Sequence, residues 1–316
     1  MSHILNIRNV SKNYSGHQAL KNVSIDIPTN CIFGLLGPNG AGKTSLIRII
    51  NQITGPDTGE ILFKDEKLSP KHIEQIGYLP EERGLYKKMT VGDQAMYLGQ
   101  LKGLSKAEAK KRLHYWFDKF DMQSWWKKKV EELSKGMQQK VQFIVTVLHE
   151  PELLILDEPF SGFDPINAQL IRDEILELKK KGTTIIFSTH NMGSVEELCD
   201  NIALINKSEK ILDGSVKDIK KTYRSNTYKV GFKGNVMGFT NALWTGAEIL
   251  AKETDDDVNI FTVKLLNNLK SNDMLQAVLP TCEIISFNEL VPSMNDIFIM
   301  KVGKEAVETI KGSDTE

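Results

Sequence analysis

Eight residues, Gly37-Pro38-Asn39-Gly40-Ala41-Gly42-Lys43-Thr44, satisfy the pattern G-x-x-x-x-G-K-[ST] at every fixed position. Glycines let the backbone come close to a ligand, and unpaired N–H groups at a helix start point at anions. Lys43 supplies a point charge and the Thr44 hydroxyl a ligand for Mg²⁺, which together equip a loop to hold a polyphosphate. Asp157 and Glu158 end the apolar run Leu153-Leu154-Ile155-Leu156. There the first carboxylate can hold the Mg²⁺ shell and the second can polarise an attacking water. His190 ends the run Thr184-Ile185-Ile186-Phe187-Ser188-Thr189-His190, where an imidazole can hydrogen-bond a γ-phosphate and orient that water. Lys43, Glu158 and His190 thus form a candidate catalytic group for phosphoryl transfer to water.

The elements that must position these residues are legible as patterns. Cys31 to Leu36 is short and apolar and reads as a buried strand, and Ser45 to Ile50 has the apolar spacing of a helix starting at the loop. The Leu153 run reads as a buried parallel strand. Ligands of doubly wound sheets bind at the carboxyl ends of the strands, so Asp157 and Glu158 belong beside the phosphates. Val23 to Ile27 and Ala203 to Ile205 read as further strands, and Ser161-Gly162-Phe163-Asp164-Pro165 as a turn-rich segment. From about Lys87 to Leu133 the pattern is helical, with Ser105-Lys106-Ala107-Glu108 opening the clearest helix by capping-box spacing. Leu113, Trp116, Phe117 and Phe120 recur at helical spacing as an apolar packing face. Lys127-Lys128-Lys129 beside Trp125 and Trp126 could serve nucleic acid, but reads better as a solvated face.

Asp213-Gly214-Ser215 reads as a turn after which the composition changes. Beyond it Thr227 to Phe232, Ile260 to Leu265 and Ile284 to Phe287 read as strands, with a helix over Asn272 to Val278, making a small α+β appendage. The polar end, Lys311 to Glu316, reads as disordered.

The chain has 316 residues, 41% of them apolar, and a net charge of −1. That accommodates a large domain and a small one, and it lacks the basic surface of duplex-binding proteins, so no nucleic-acid partner is expected. Cys31, Cys199 and Cys282 have no metal-ligand spacing and read as reduced thiols of a cytosolic protein. No stretch reaches the roughly 18 to 20 apolar residues of a membrane helix. The best candidate, Val141 to Leu156, is interrupted by Gln142, His149, Glu150, Pro151 and Glu152. The start, Met1 to Arg8, lacks the basic and apolar regions of a signal peptide.

Gly37 to Thr44, Leu133-Ser134-Lys135-Gly136-Met137-Gln138-Gln139, Leu153 to Pro159, Ser161 to Pro165 and His190 together resemble the ATP-binding cassette (ABC) ATPase family in order, spacing and type. They look like its Walker A, signature, Walker B, D-loop and H-loop. The resemblance covers roughly residues 1–215 and implies a P-loop NTPase core of α/β class. That core would carry an antiparallel β subdomain and a helical subdomain at about 87–139, followed by the accessory α+β domain at 216–305 and a flexible tail at 306–316. It implies ATP and Mg²⁺ as ligands. ATP would be held by Gly37, Pro38, Asn39, Gly40, Ala41, Gly42, Lys43, Thr44 and Ser45, and Mg²⁺ by Thr44, Asp157 and Glu81. Tyr14 resembles the aromatic residue that stacks on adenine, and could equally be a half-buried tyrosine.

Lys135 stands where the family most often has glycine, and Met137 where it usually has glutamine. Ser134 and Gly136, the two positions used against the γ-phosphate, are kept. In the resemblance Ser134, Lys135, Gly136, Met137 and Gln138 act in trans, on ATP held by a second subunit, so two nucleotides are sandwiched in a homodimer, and Asp164 cross-links the two sites. Glu81 replaces the usual glutamine. A carboxylate there can bind Mg²⁺, while adding negative charge near phosphates. Pro80-Glu81-Glu82-Arg83-Gly84-Leu85-Tyr86 resembles the wording of ABC-2 type exporters of the sodium-efflux-like group, as does the closing segment Val291 to Phe298. These features imply an ATPase subunit on the cytoplasmic face of the membrane, paired with a separate multi-span permease. The alternative, a soluble ABC ATPase acting on ribosomes or DNA, fits less well, since there is one cassette and no room for a long coiled coil between phosphate loop and signature.

Overall fold

The computed structural model describes residues 2–82, 84–243 and 246–303. Arg83 and the tail at 306–316 lie outside the described residues. The chain divides into two compact units, the second being Lys217–Lys301.

In the first unit, β1 (His3–Tyr14) and β2 (His17–Pro28) form a hairpin, followed by β3 (Ile32–Leu36), α1 (Lys43–Ile50), β4 (Thr58–Phe63), β5 (Glu66–Lys67) and β6 (Ile76–Leu79). Helices α2 (Val91–Leu101), α3 (Lys106–Lys119) and α4 (Lys135–Val147) come next. The remainder is β7 (Leu153–Asp157), α5 (Pro165–Lys180), β8 (Thr184–Thr189), α6 (Met192–Leu198), β9 (Asn201–Asn206) and β10 (Glu209–Ser215). Two sheets result, an antiparallel one ordered β2-β1-β4-β5 and a six-stranded one ordered β10-β9-β3-β8-β7-β6. In the second sheet all neighbours are parallel except β10, which runs antiparallel on β9. Every residue of β3, β7 and β8 is buried, which explains runs that are apolar without alternation.

Helix α1 lies within one continuous core. Its Leu46, Ile47, Ile49 and Ile50 share a cluster with Leu5 and Ile7 of β1, Ile25 of β2 and Phe63 of β4, and with Phe33 of β3, Ile155 of β7 and Ile205 of β9. Burying a side chain of this kind contributes roughly 1.5–3 kcal/mol, so the helix that follows the glycine loop is fixed from two sides. The helical segment is built as its pattern implies. Ser105 caps α3 in a reciprocal box with Glu108, and Leu113, Trp116, Phe117 and Phe120 are buried. Lys127, Lys128 and Lys129 are exposed.

One element departs from the sequence reading. Asp213-Gly214-Ser215 is not a turn but the end of β10, with Asp213 opposite Ala203, Gly214 opposite Ile202 and Ser215 opposite Asn201. An edge strand needs a ladder on one side only, so turn-forming residue types are tolerated there.

Helix α7 (Val216–Thr222) leads into the second unit, which runs β11 (Thr227–Gly234), α8 (Val236–Ala242), β12 (Ala247–Asp255), β13 (Val258–Leu265), α9 (Ser271–Val278), β14 (Cys282–Glu289) and α10 (Met294–Val302). The sheet order β12-β13-β11-β14, all antiparallel, makes β11 to β14 a β-α-β-β-α-β unit of ferredoxin-like topology. Its core centres on Phe232, Phe239 and Phe261, the first two stacked at 4.0 Å between ring centroids. The strands and helix read from the sequence are present. Helices α8 and α10 and strand β12 are additional to that reading, although Ser293 and Asp296, which cap the start of α10 reciprocally, have the spacing that announces a helix. β12 is an edge strand exposed along most of its length, so its side chains alternate only weakly.

Candidate nucleotide site

Strand register decides where the chemistry gathers. Leu36 of β3 pairs with Thr189 of β8, and Asp157 of β7 with Ser188 of β8. Gly37, Glu158 and His190, each one residue beyond its strand, therefore leave the sheet side by side. Gly37 has φ 151° and Gly42 φ 117°. A Cβ at Gly37 would strike the Ile205 carbonyl, and one at Gly42 the Ala19 carbonyl. Close approach to β9 and β2 thus requires glycine at both positions.

A cavity of about 260 Å³ is lined by Tyr14, Asn39, Gly40, Ala41, Gly42, Lys43, Thr44, Ser45, Glu81, Asp157, Glu158 and His190. Pro38 lines an adjoining cavity with Asn39, Gly40 and Ala41. Lys43 is buried, and its Nζ donates to the carbonyls of Gly37 at 2.7 Å and Pro38 at 3.1 Å. Burial lowers its pKa, opposed by the charges of Glu158, Asp157 and Glu81. Asp157 is held above the usual carboxylate range, chiefly by burial, with Glu81 and Glu158 adding to the rise and Lys43 opposing it. One lysine therefore faces three carboxylates.

Glu158 is the most constrained of these groups. Its φ of 48° is left-handed, a conformation costing a non-glycine residue of order 1–3 kcal/mol. Its carboxylate accepts from the Thr189 hydroxyl at 3.0 Å and the His190 amide at 2.9 Å, and Oε1 lies 2.7 Å from His190 Nδ1. An acid held from three directions beside the phosphate loop is equipped to orient a water and accept its proton.

The Thr44 hydroxyl, Asp157 and Glu81 line the same cavity and are three oxygen donors of the kind a divalent cation takes. Among the described residues no cluster of three or more His, Cys, Asp or Glu could hold a metal by itself. Mg²⁺ takes one or two carboxylates and completes its shell with phosphates and water. A cation would also offset the excess of carboxylates around Lys43.

The remaining expected residues lie elsewhere. Ser134 caps α4, its Oγ accepting from the Met137 amide at 3.3 Å. None of Ser134, Lys135, Gly136, Met137 and Gln138 lines the phosphate-loop cavity. Asp164 does not line it either; it caps α5, accepting from the Asn167 amide at 2.9 Å, and that bond, with the Asn167 side chain, holds its carboxyl low.

Sequence reasoning missed three contributors. His17 lines the cavity with Tyr14 because the two are register partners across the Ser15-Gly16 turn; a two-residue hairpin loop was the available signal. Ala19 lines it as well. Thr189 anchors Glu158, and nothing in a strand-end threonine announces that.

A model of the ABC transporter family matches residues 20–161, and one described as "ATP-binding protein DrrA1-3-like, C-terminal domain" matches residues 214–302. The uncharacterized ABC transporter ATP-binding protein YhaQ of Bacillus subtilis (strain 168) is 42% identical over 301 residues, covering 95% of this chain and 99% of that one. The linearmycin resistance ATP-binding protein LnrL of the same organism is 29% identical over 310 residues, covering 95% and 99%. A solved structure of the ATP-binding subunit of an ABC transporter superposes with a TM-score of 0.65 at 30% identity, covering 70% of this chain and 93% of that one. With the phosphate loop, the acidic strand end and His190 gathered on one cavity, these likenesses identify the chain as a member of the ABC transporter ATP-binding protein family, an ATPase of P-loop fold with a DrrA-like C-terminal domain.

Proposed function

We propose that this ATP-binding subunit powers an ABC-2 type exporter, forming an ATP-closed homodimer beneath separate permease chains. The observation that carries the reading is a division of the motifs. Lys43, Asp157, Glu158 and His190 line one cavity, while the segment Ser134 to Gln138 sits at the start of α4 and does not line it. A second copy facing the first would supply what each cavity lacks. The N–H groups at the start of α4, with Ser134, would meet the γ-phosphate held by the other copy, since helix N-termini favour anions. ATP then acts as glue between copies, and its loss of phosphate releases them.

Within each cavity, Tyr14 would stack on the adenine, and Gly37, Pro38, Asn39, Gly40, Ala41, Gly42 and Ser45 would form the phosphate cradle. Lys43 would exchange its carbonyl partners for phosphate oxygens. Glu158 accepts the proton of the attacking water, and His190 holds Glu158 and the γ-phosphate in register. Thr44, Asp157 and Glu81 would hold Mg²⁺, which when bound neutralises phosphate charge. Asp164 would reach across the dimer from the N-terminus of α5.

No helix among the described residues is long and apolar enough to cross a membrane, so the membrane path would belong to another chain, with this one peripheral on the cytoplasmic face. The name of LnrL, a resistance protein of matching length, supports outward transport. Purification from native membranes in mild detergent tests the reading: a multi-span membrane protein should accompany the chain, and ribosomes or DNA in its place would overturn it.

A further inference from the structure

We propose that Gln142 is a positioning residue that clasps the loop carrying Glu81 and ties it to the helix that begins at the signature segment. Gln142 lies on α4 and is buried, 6% exposed. Its Nε2 stands 3.5 Å from the Pro80 carbonyl and 3.5 Å from the Glu82 carbonyl, the two peptide oxygens that flank Glu81. One amide nitrogen with two hydrogens thus faces both carbonyls. One turn earlier on the same face of α4, Gln139 Nε2 donates to the Ser161 carbonyl, in the turn that follows Glu158. Gln139, Gln142, Glu81, Asp157 and Glu158 line one small cavity of about 20 Å³.

The chemistry favours an amide. A buried amide left without partners is costly, so the loop carbonyls hold the side chain as much as it holds them. A carboxylate at 142 would set a further negative group against two carbonyl oxygens, in a place already occupied by three acids. The arrangement has a mechanical consequence. Ser134 and Gln142 are eight residues apart on one rigid helix, about 12 Å along its axis. Displacement of the α4 N-terminus by a nucleotide on the partner copy is therefore delivered to the Glu81 loop of this chain's own site. This inference rests on the reading of Glu81 as a Mg²⁺-facing group.

The test uses the full chain with Gln142→Met, which keeps the bulk and removes the donor, and Glu81→Ala, singly and together. Amide hydrogen exchange at Glu81 and Glu82 should quicken about tenfold in Gln142→Met; unchanged exchange there overturns the clasp. Gln142→Met should also lower kcat about tenfold while KM for ATP moves less than about threefold, and it should reduce the gain in ATP affinity on adding Mg²⁺. In the Glu81→Ala background the second substitution should be nearly silent in both readouts. Full additivity would make Gln142 a packing residue only and overturn the proposal. A silent Glu81→Ala combined with faster exchange in Gln142→Met counts against the role of Glu81 and leaves the clasp standing.

Discussion

His190 Nδ1 lies 2.7 Å from Glu158 Oε1, and the His190 backbone amide donates to the same oxygen at 2.9 Å. The proposed general base and the residue proposed to orient it are thus one unit, fixed by the ends of two adjacent strands. Groups that act as a unit lose activity together. His190→Ala and Glu158→Gln should each lower kcat by about 10²–10⁴-fold, and the double variant should be little worse than the more damaged single one. Steady-state phosphate release measures this, and multiplicative losses would separate the two residues.

Lys43 is buried with its ammonium on the Gly37 and Pro38 carbonyls, ready to transfer to phosphate. Lys43→Ala should weaken ATP affinity about 10- to 100-fold, the value of a charge-assisted hydrogen bond. An unchanged affinity in a nucleotide titration removes Lys43 from its role.

Tyr14 is 40% exposed, lines the cavity, and faces His17 across a two-residue turn. Stacking of a base on an aromatic side chain is worth about 1–3 kcal/mol by alanine substitution, so Tyr14→Ala should weaken ATP roughly 5- to 150-fold. Tyr14→Phe should not. Equal weakening by both would assign the hydroxyl rather than the ring.

His149 contacts the Ile76 carbonyl through Nε2 at 3.3 Å. Burial, with the nearby charges of Lys102 and Arg112, pushes its pKa down from 6.5 to about 4. Between those values the unfolded chain binds more protons than the folded one, so stability falls as pH drops from about 6.5 toward 4. Urea unfolding at pH 7 and pH 4.5 should show His149→Gln losing ~2 kcal/mol less than the parent over that interval. Parallel losses would show that His149 does not titrate in this range.

How much of this was legible follows from what each residue needs. Gly37 and Gly42 announce themselves because no other residue fits against the Ile205 and Ala19 carbonyls. Asp157 and Glu158 are visible because a fully buried strand must be apolar until it reaches the site. Gln142 was legible only as an interruption of an apolar run; that it points at two carbonyls depends on packing between segments 60 and 62 positions apart in sequence. Asp164 carried a cross-site expectation, while its visible partner is the Asn167 amide of its own helix. The hairpin register that brings His17 to Tyr14 likewise emerges only once β1 and β2 are paired.

If a second copy completes each cavity, the mass of the protein in solution must follow the nucleotide. Light scattering of Glu158→Gln with Mg²⁺ and ATP should give twice the monomer mass, returning to monomer when Ser134→Arg is added to obstruct the start of α4. A monomer at every ATP concentration, or a dimer indifferent to Ser134→Arg, would show that the cavities are not completed in this way.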